Sequence, residues 1–500
     1  MLLNQETLRL VFGLKLRSMR VDKELSLKDL AKKTGLSPSY LNEIEKGKKY
    51  PRTEKILLLA EALDRKIEDL ISLELKKELQ LIQQLIDKKF LVGLPFDVFG
   101  IPAVTVFELL AEHPQKMQAL IGTLIEIARA HDIEVDDLFY ALLRSYLDMH
   151  KNYFPDLEAK AEKARVDFSL AWDQPAPELK DKLTSILETH YKVKVHDQKY
   201  LRDISPEFEG MDYFITEKGR SLYISRSLSL KEQIFILSRE LGYHYMKMKI
   251  RPICSLMTNL DSFEQLFNHF SANYFASSLL IPENIIAEEV RKFLHGSTWR
   301  QEGFLNIIEK FSCTMESFFH RLSQILPHAL GLENLFFLRY EYDLSGKRYQ
   351  ISRELHLSAL HSPHKVKGVE NYCNRWLVHT LTQKMMAQPA NSKATLVGAQ
   401  RSKYADSENE YLVFAAAFRN EHSSNKVSCV CLGLLHDDVL KQNVSLLEDA
   451  SIPNMIVGET CERCLLNNCS DRQAPLNREL NPRRYQEIFK RIQELDQISE

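Results

Sequence analysis

With 500 residues, 44% hydrophobic and 27% charged, the chain has the composition of an ordinary soluble protein and is too long for one core, so roughly two to four domains are expected. Its formal net charge of −2 excludes a uniformly basic nucleic-acid coat but leaves room for a small basic domain. No apolar run approaches the ~20 residues that span a bilayer, and the opening stretch, with Glu6, Arg9, Lys15 and Arg17, lacks the apolar core of a signal peptide. The expectation is a cytoplasmic protein without membrane association, where clustered cysteines serve as metal ligands rather than disulfides.

Residues 1–75 carry the strongest local signal. Ser26 with Asp29 three residues on reads as a capping box, and Gly35 supplies a left-handed helix end. Ser37-Pro38 restarts the chain with an N-cap serine and a proline at the first helical position, and the second helix runs to Gly47. Leu30, Ala31, Leu41 and Ile44 face inward, the small Ala31 allowing close approach. Two short capped helices joined by a glycine-containing turn make a helix-turn-helix. Between Lys15 and Lys55 there are twelve Lys or Arg against six acids, enough for a phosphate-binding face with salt-sensitive affinity. Ser37 caps the second helix. Ser39, Tyr40, Asn42 and Glu43 occupy its outward N-terminal part, where side chains reach base edges. Lys46, Lys48, Lys49 and Arg52 follow and suit phosphates.

The run from Ser37 to Gly47, with Pro51, resembles the recognition helix and following turn of the phage-repressor-like helix-turn-helix family. Over about residues 8–70, this resemblance implies binding to double-stranded DNA as a dimer on two-fold sites. From about Lys55 to Lys89 leucines and isoleucines recur at helical spacing with no Pro or Gly, predicting a long connecting or dimerisation helix. Helices continue over 95–165 after the Gly93/Pro95/Gly100/Pro102 break.

In the middle of the chain, a strand at Ser221–Ser225 precedes an apolar-periodic helix at Leu230–Tyr245, and Ala272-Asn-Tyr-Phe-Ala276 lies downstream. These features resemble the neutral zinc-peptidase-like family of phage repressor-cleaving proteases and radiation-response regulators, whose helix reads H-E-x-x-H and whose third acid precedes A-N-x-F-A. Here the positions read Arg239-Glu240-Leu241-Gly242-Tyr243, and Phe267–Ser271 contains no acid. Zinc needs two imidazoles one turn apart, and an arginine stays protonated and cannot ligate. His244 is one residue out of register, about 100° around the helix. The expectation is a peptidase-like fold without its metal or catalytic residues, with Glu240 paired to a base such as Arg239 or one from another element. A DNA-tethered metallopeptidase using Glu240, or a new site built from His244 and His269, is the alternative.

After a helical stretch to about Pro327, strands are expected at 335–342, 347–352, 394–397, 411–414 and 427–435, with a hairpin connection at Asp343–Lys347 and a helix over Tyr372–His379. This is a mixed α+β domain of sensor type with a central antiparallel sheet. Cys461, Cys464 and Cys469 form C-x2-C-x4-C, three thiolates close enough to converge on one soft metal ion or cluster, short of the usual four ligands. Cys254 and Cys313 suit core packing, and Cys429 and Cys431 share one face of a buried strand. Cys373, opening the 372–379 helix beside Trp376, is the candidate fourth ligand.

The order helix-turn-helix, peptidase-like middle, then Cys373 and Trp376 followed by Val457-Gly458, Cys461, Cys464, Cys469, Arg472 and Pro475 is similar to the short-chain fatty acyl-CoA responsive regulators over nearly the whole chain. The resemblance implies an acyl-CoA effector and an iron–sulfur cluster, [4Fe–4S], held by the four cysteines. Zinc is the alternative occupant, although a zinc ribbon normally offers two C-x2-C pairs. Arg463 and Arg472 are free to serve cluster sulfurs or a CoA phosphate. The layout expected is multidomain and mainly α with an α+β C-terminal half: a helix-turn-helix at 1–75, a helical linker or dimerisation region at 76–165, a degenerate peptidase-like domain at 166–328 and an acyl-CoA sensor domain at 329–500. The corresponding function is a homodimeric transcriptional regulator of short-chain acyl-CoA and central carbon metabolism that is not an enzyme.

Overall fold

A computed structural model describes residues 5–72, 99–100, 123, 126–127, 135–216, 218–256, 260–346, 348–357, 370–389, 392, 394–405, 407–419, 426–466, 468–477 and 484–498. The chain divides into two compact units, residues 1–141 with 259–264, and residues 142–258 with 265–500. The first is helical where described; the second runs from helices with a small sheet into a sheet-containing C-terminal half. None of the described helices is long and apolar enough to cross a membrane.

The first unit opens with α1 (Gln5–Asp22), α2 (Leu27–Thr34), α3 (Pro38–Glu45), α4 (Thr53–Ala62) and α5 (Ile67–Ile71). Their apolar faces meet in one core that includes Phe12, Leu16, Leu30, Leu41, Ile44, Leu59 and Leu63. The local signals fold as their chemistry dictates. Ser26 Oγ accepts the Asp29 N–H at 3.1 Å while Asp29 returns the bond to the Ser26 N–H, Gly35 sits at φ 70°, and Ser37 Oγ caps the Tyr40 N–H at 3.2 Å. Helices α1 and α3 approach closely at Gly13, where a Cβ would lie 2.4 Å from the Ile44 carbonyl oxygen. The long helix expected from Lys55 breaks after Ala62, where Asp64 turns the chain at φ 53° before α5 begins. Residues 73–89 of that expected helix, and most of the 76–165 linker, lie outside the described residues. Helix α6 (Val135–Met149) begins in this unit.

The second unit continues with α7 (Pro155–Asp167), α8 (Ala176–His190), strands β1 (Lys194–Gln198), β2 (Tyr213–Ile215) and β3 (Ser221–Ser225), then α9 (Leu230–Tyr245), α10 (Phe263–Leu280), α11 (Glu283–Leu294), α12 (Gln301–Glu309) and α13 (Met315–Leu330). The three strands form a sheet in the order β1-β3-β2, β1 parallel and β2 antiparallel to β3. Helix α13 does not stop at Pro327 but carries it internally and ends at left-handed Gly331. It also contributes Arg321, fully buried, whose guanidinium binds both carboxylate oxygens of Glu158 on α7 at 2.6 and 2.8 Å.

The C-terminal half is built on a six-stranded sheet, order β5-β4-β8-β7-β6-β9, from β4 (Leu335–Asp343), β5 (Arg348–His356), β6 (Leu396–Tyr404), β7 (Glu410–Arg419), β8 (Lys426–Leu435) and β9 (Asn454–Val457). All pairings are antiparallel except β6 with β9. One face packs Phe337 against His320, and Phe414 against Trp299 and Phe304. The other face carries Leu338, Tyr340, Val413, Cys429 and Cys431 beneath α14 (Leu377–Met386). Covered on both sides, β8 is buried almost throughout, which explains its continuous apolar run. Strand β6 begins later than the expected 394–397 and runs to Tyr404, and β9 is an addition. The helix expected over Tyr372–His379 starts only at Leu377, because Tyr372 is held in a β-bridge to Thr460 and Trp376 is the extended N-cap. Cys373 therefore precedes the helix. A short α15 (Asp438–Asn443) and the C-terminal α16 (Arg484–Ile498) complete the described elements.

Candidate functional site

On α3, its Ser37 N-cap and the turn that follows it, Ser37, Ser39, Lys48, Lys49 and Arg52 are exposed and Tyr40, Asn42, Glu43 and Lys46 are partly so, while Leu41 and Ile44 point into the core. The helix thus presents its N-terminal polar positions on one face and a basic turn behind them. Glu43 is tied to that turn: its carboxylate meets Lys49 Nζ at 2.8 Å and its carbonyl accepts the Lys48 and Lys49 N–H groups. Lys55 from α4 sits 4.0 Å above the Tyr40 ring, a cation–π contact that adds a positive charge to the face and that no local pattern in the sequence announces. Two charges in the basic count have other uses. Lys15 is buried and donates to the Ser72 carbonyl and hydroxyl, both at 2.5 Å. Arg20 grips both oxygens of buried Glu45 at 2.6 and 2.9 Å, locking α1 to α3.

In α9 the positions that would bear a zinc site are filled by other chemistry. Arg239 lies 4.4 Å over the Tyr213 ring and reaches Asn273 Oδ1 at 3.4 Å. The Tyr243 hydroxyl meets His269 Nδ1 at 2.7 Å. Glu240 is bound by His244 Nε2 at 2.9 Å and by Arg251 at 2.7 Å. Its partners are therefore His244 and Arg251, from the segment after α9, and Arg239 is not among them. Burial alone would raise the Glu240 carboxyl, but His244 and Arg251 outweigh it and hold it below its ordinary value. Burial and the charges of Arg239 and Arg353 push His269 well below the usual histidine range, which leaves it neutral. His244 and His269 are thus engaged with different partners and are not joined in one site.

The cysteines gather around a crossing of two segments. Cys373, Cys461 and Cys464 are buried and Cys469 is partly exposed. Glu459 O accepts the Cys373 N–H at 3.0 Å and Asn371 O accepts the Cys461 N–H at 2.8 Å, bringing residues about ninety positions apart into one unit. Burial first, and the neighbouring Cys464 and Cys461, push the Cys373 thiol up to about 11 against the N–H groups of Gly458 and Arg375. Gly458 donates to Cys373 Sγ and Gln473 to Cys461 Sγ, each at 3.4 Å. Among the described residues no group of three or more His, Cys, Asp or Glu stands ready to hold a metal ion. Arg472, partly buried, donates to the carbonyls of Cys461, Leu466 and Cys464 at 2.6, 2.7 and 2.9 Å, stapling the loop. Arg463 is paired with Glu370 at 2.7 and 2.8 Å. Of the remaining cysteines, Cys313, Cys429 and Cys431 are buried as expected, whereas Cys254 is partly exposed.

Beside this crossing, a small space of about 20 Å³, room for about one water molecule, lies between the sheet and α14, walled by Phe336, Leu338, Tyr340, Trp376, Tyr404 and Val413 among others. Burial holds the Tyr340 and Tyr404 phenols well above the usual tyrosine range, so both stay protonated.

No curated protein matches the chain. Among solved structures it is similar to a Mycobacterium tuberculosis transcriptional regulator, with 17% identity, 67% of this chain and 92% of that chain covered, and a TM-score of 0.46. Residues 16–70 match the family described as helix-turn-helix and residues 194–323 that described as the IrrE N-terminal-like domain, so the chain joins a helix-turn-helix domain to an IrrE-like domain.

Proposed function

We propose that this protein is a sequence-specific, homodimeric DNA-binding transcriptional regulator whose C-terminal domain senses a short-chain acyl-CoA. The observation that carries the reading is the α3 face, with Ser39, Tyr40, Asn42 and Glu43 at the accessible end of a capped helix and Lys46, Lys48, Lys49 and Arg52 behind it. The helix-turn-helix match supports it. Effector binding would shift the population of DNA-competent dimers. Operator selection from random DNA, with and without acyl-CoA esters, tests both halves. Ser39→Ala and Asn42→Ala are expected to relax base preference by about 1–3 kcal/mol at the contacted position, whereas Lys49→Ala weakens binding to all sequences and lowers the salt slope by about one. Operator affinity equal to the parent's in both recognition-helix variants would sink the assignment.

Cys373, Cys461, Cys464 and Cys469 are the residues that would hold a [4Fe–4S] cluster, with zinc as the alternative occupant; a bound cluster would supply a redox- and oxygen-sensitive centre. Thiolates are the soft donors such a site takes, and the Gly458 and Gln473 N–H groups point at two of the sulfurs; the four sulfurs as placed do not form a ready-made site and would have to draw together around the group. Iron, sulfide and zinc analysis of anaerobically purified protein, together with its visible spectrum, is the check; stoichiometric zinc without a charge-transfer band removes the cluster.

The second reading, a repressor-cleaving metallopeptidase, is favoured by the IrrE-like match and opposed by Glu240 being held in an ion pair with Arg251. Only metal-dependent proteolysis that Glu240→Gln abolishes would restore it. The reading preferred is a protein without enzymatic activity.

A further inference from the structure

The C-terminal helix α16 turns an apolar stripe to solvent. Ile488, Phe489, Ile492 and Leu495 are 48, 51, 51 and 50% exposed, whereas isoleucine, leucine and phenylalanine are among the residues most often buried. Ile488, Ile492 and Leu495 follow one another at intervals of four and three residues, the d-a-d rhythm of a coiled-coil seam. Phe489, beside Ile488, widens the stripe on one side. Lys490, Gln493 and Glu494 fall away from it around the helix and give the remaining surface a polar, charged character. No Pro or Gly interrupts the run from Arg484 to Ile498. A contiguous apolar stripe with a polar back is the surface of a helix that packs against another.

We propose that α16 is the seam at which two copies of this chain associate, as a short parallel coiled coil with Ile488, Ile492 and Leu495 in register. A β-branched residue at a, here Ile492, with leucine at d, here Leu495, is the combination that favours two parallel strands. The charges beside the seam suit the same arrangement. Arg491 stands at g and Asp496, five residues on, at e, the two positions whose opposite charges meet between parallel helices. Turned antiparallel, the helices would set the flank of Arg484 and Arg491 against the same flank of the other copy. Within one chain Arg491 pairs with Glu494 at 2.8 Å, an exposed contact that is worth little and yields readily. The seam is about four turns long, so it associates reversibly and with a strong dependence on concentration. This inference rests on the homodimeric reading above and adds the surface that closes the dimer.

Sedimentation equilibrium of the full-length chain over a wide range of concentration tests it, with thermal melting as the control for folding. The parent is expected to be a reversible monomer–dimer system. Ile492→Asp, and independently Ile488→Asp, should raise the dimer dissociation constant by about tenfold or more at an unchanged melting temperature, because the side chain is exposed in the single chain. Arg491→Glu should weaken the dimer, and adding Asp496→Arg should restore it. Residues five apart on one helix do not face each other, so that rescue reports a pairing between copies. A dimer whose dissociation constant ignores both aspartate variants overturns the seam and leaves the homodimeric reading standing. A parent that stays monomeric overturns both. A fall in melting temperature with no change in dissociation constant shows that the stripe packs within its own chain and also overturns the proposal. Failure of the double charge swap to restore association overturns the parallel register.

Discussion

Arg321 illustrates what a single residue can decide. A guanidinium with no exposure is tolerable only when its donors are matched, and here both Glu158 oxygens, the Ile281 carbonyl and Gln324 match them. Arg321→Met is expected to destabilise the second unit by about 3–5 kcal/mol in urea unfolding, because it strands a buried carboxylate. The same pair sets a pH dependence. Burial would raise the Glu158 carboxyl, but Arg321, Ser278 and Tyr274 outweigh it and hold it below its ordinary 4.5. The unfolded chain then takes up the proton first, so the contribution is complete above about pH 4.5 and is lost as pH falls through the depressed folded value. Urea midpoints measured from pH 6 to pH 3 should fall in the parent and fall less steeply in Glu158→Gln. Arg463 and Arg472 make a related point about legibility. Both look like free cations for a cluster or a phosphate, yet one is spent on Glu370 and the other on three backbone carbonyls. An arginine's partner is chosen by what the fold brings within reach, and no spacing in the sequence encodes that choice.

At the scale of elements, helix α1 carries a glycine that propensity alone would replace. Alanine in a helix interior is ordinarily better than glycine by about 1 kcal/mol. At Gly13, however, a Cβ would sit 2.4 Å from Ile44 O and 2.8 Å from Glu45 O, both backbone atoms that cannot swing aside. Gly13→Ala should therefore lower the melting temperature of the helix-turn-helix and weaken operator binding, since separating α1 from α3 also strains the Arg20–Glu45 pair. A higher melting temperature would show that the crossing can relax. Elements with local signals were legible. Capping at Ser26 and Ser37 joins groups only three residues apart, and α9 runs from Leu230 to Tyr245 as its periodicity requires. Strand β9 was not legible, because four residues in a parallel edge pairing with β6 show no alternation long enough to read. The start of α14 was misplaced for a similar reason: the bridge of Tyr372 to Thr460 overrides the helical preference of the intervening residues.

For the whole molecule, the middle domain matches the IrrE N-terminal-like family, and the two α9 positions of the zinc pattern hold Arg239, which contacts Asn273 and Tyr213, and Tyr243, which is hydrogen-bonded to His269. If that domain is now a structural module, Glu240→Ala should lower its stability by about 3–5 kcal/mol, since Arg251 and His244 lose their buried partner. Operator affinity of the folded variant should stay at the parent's value. A loss of DNA binding without a loss of stability would instead mean that this carboxylate communicates with the DNA-binding domain.

By itself the sequence determined the helix-turn-helix, the strand-and-helix frame of the middle domain and the Arg239 and Tyr243 that stand where the zinc pattern has histidines. Each depends on residue types within a few positions of one another, where a cap, a turn or a ligand spacing is complete in the local chain. Only the tertiary structure decided which groups meet across long separations: Lys55 over Tyr40, Arg251 on Glu240, Arg20 on Glu45. The cysteine crossing belongs there too. Cys373 and Gly458 are 85 residues apart, and the fold brings them together with the Trp376 indole bonded to the Gly458 carbonyl. Such contacts are set by strand order and by which face of the sheet each segment covers, and neither is written in the local pattern of residues.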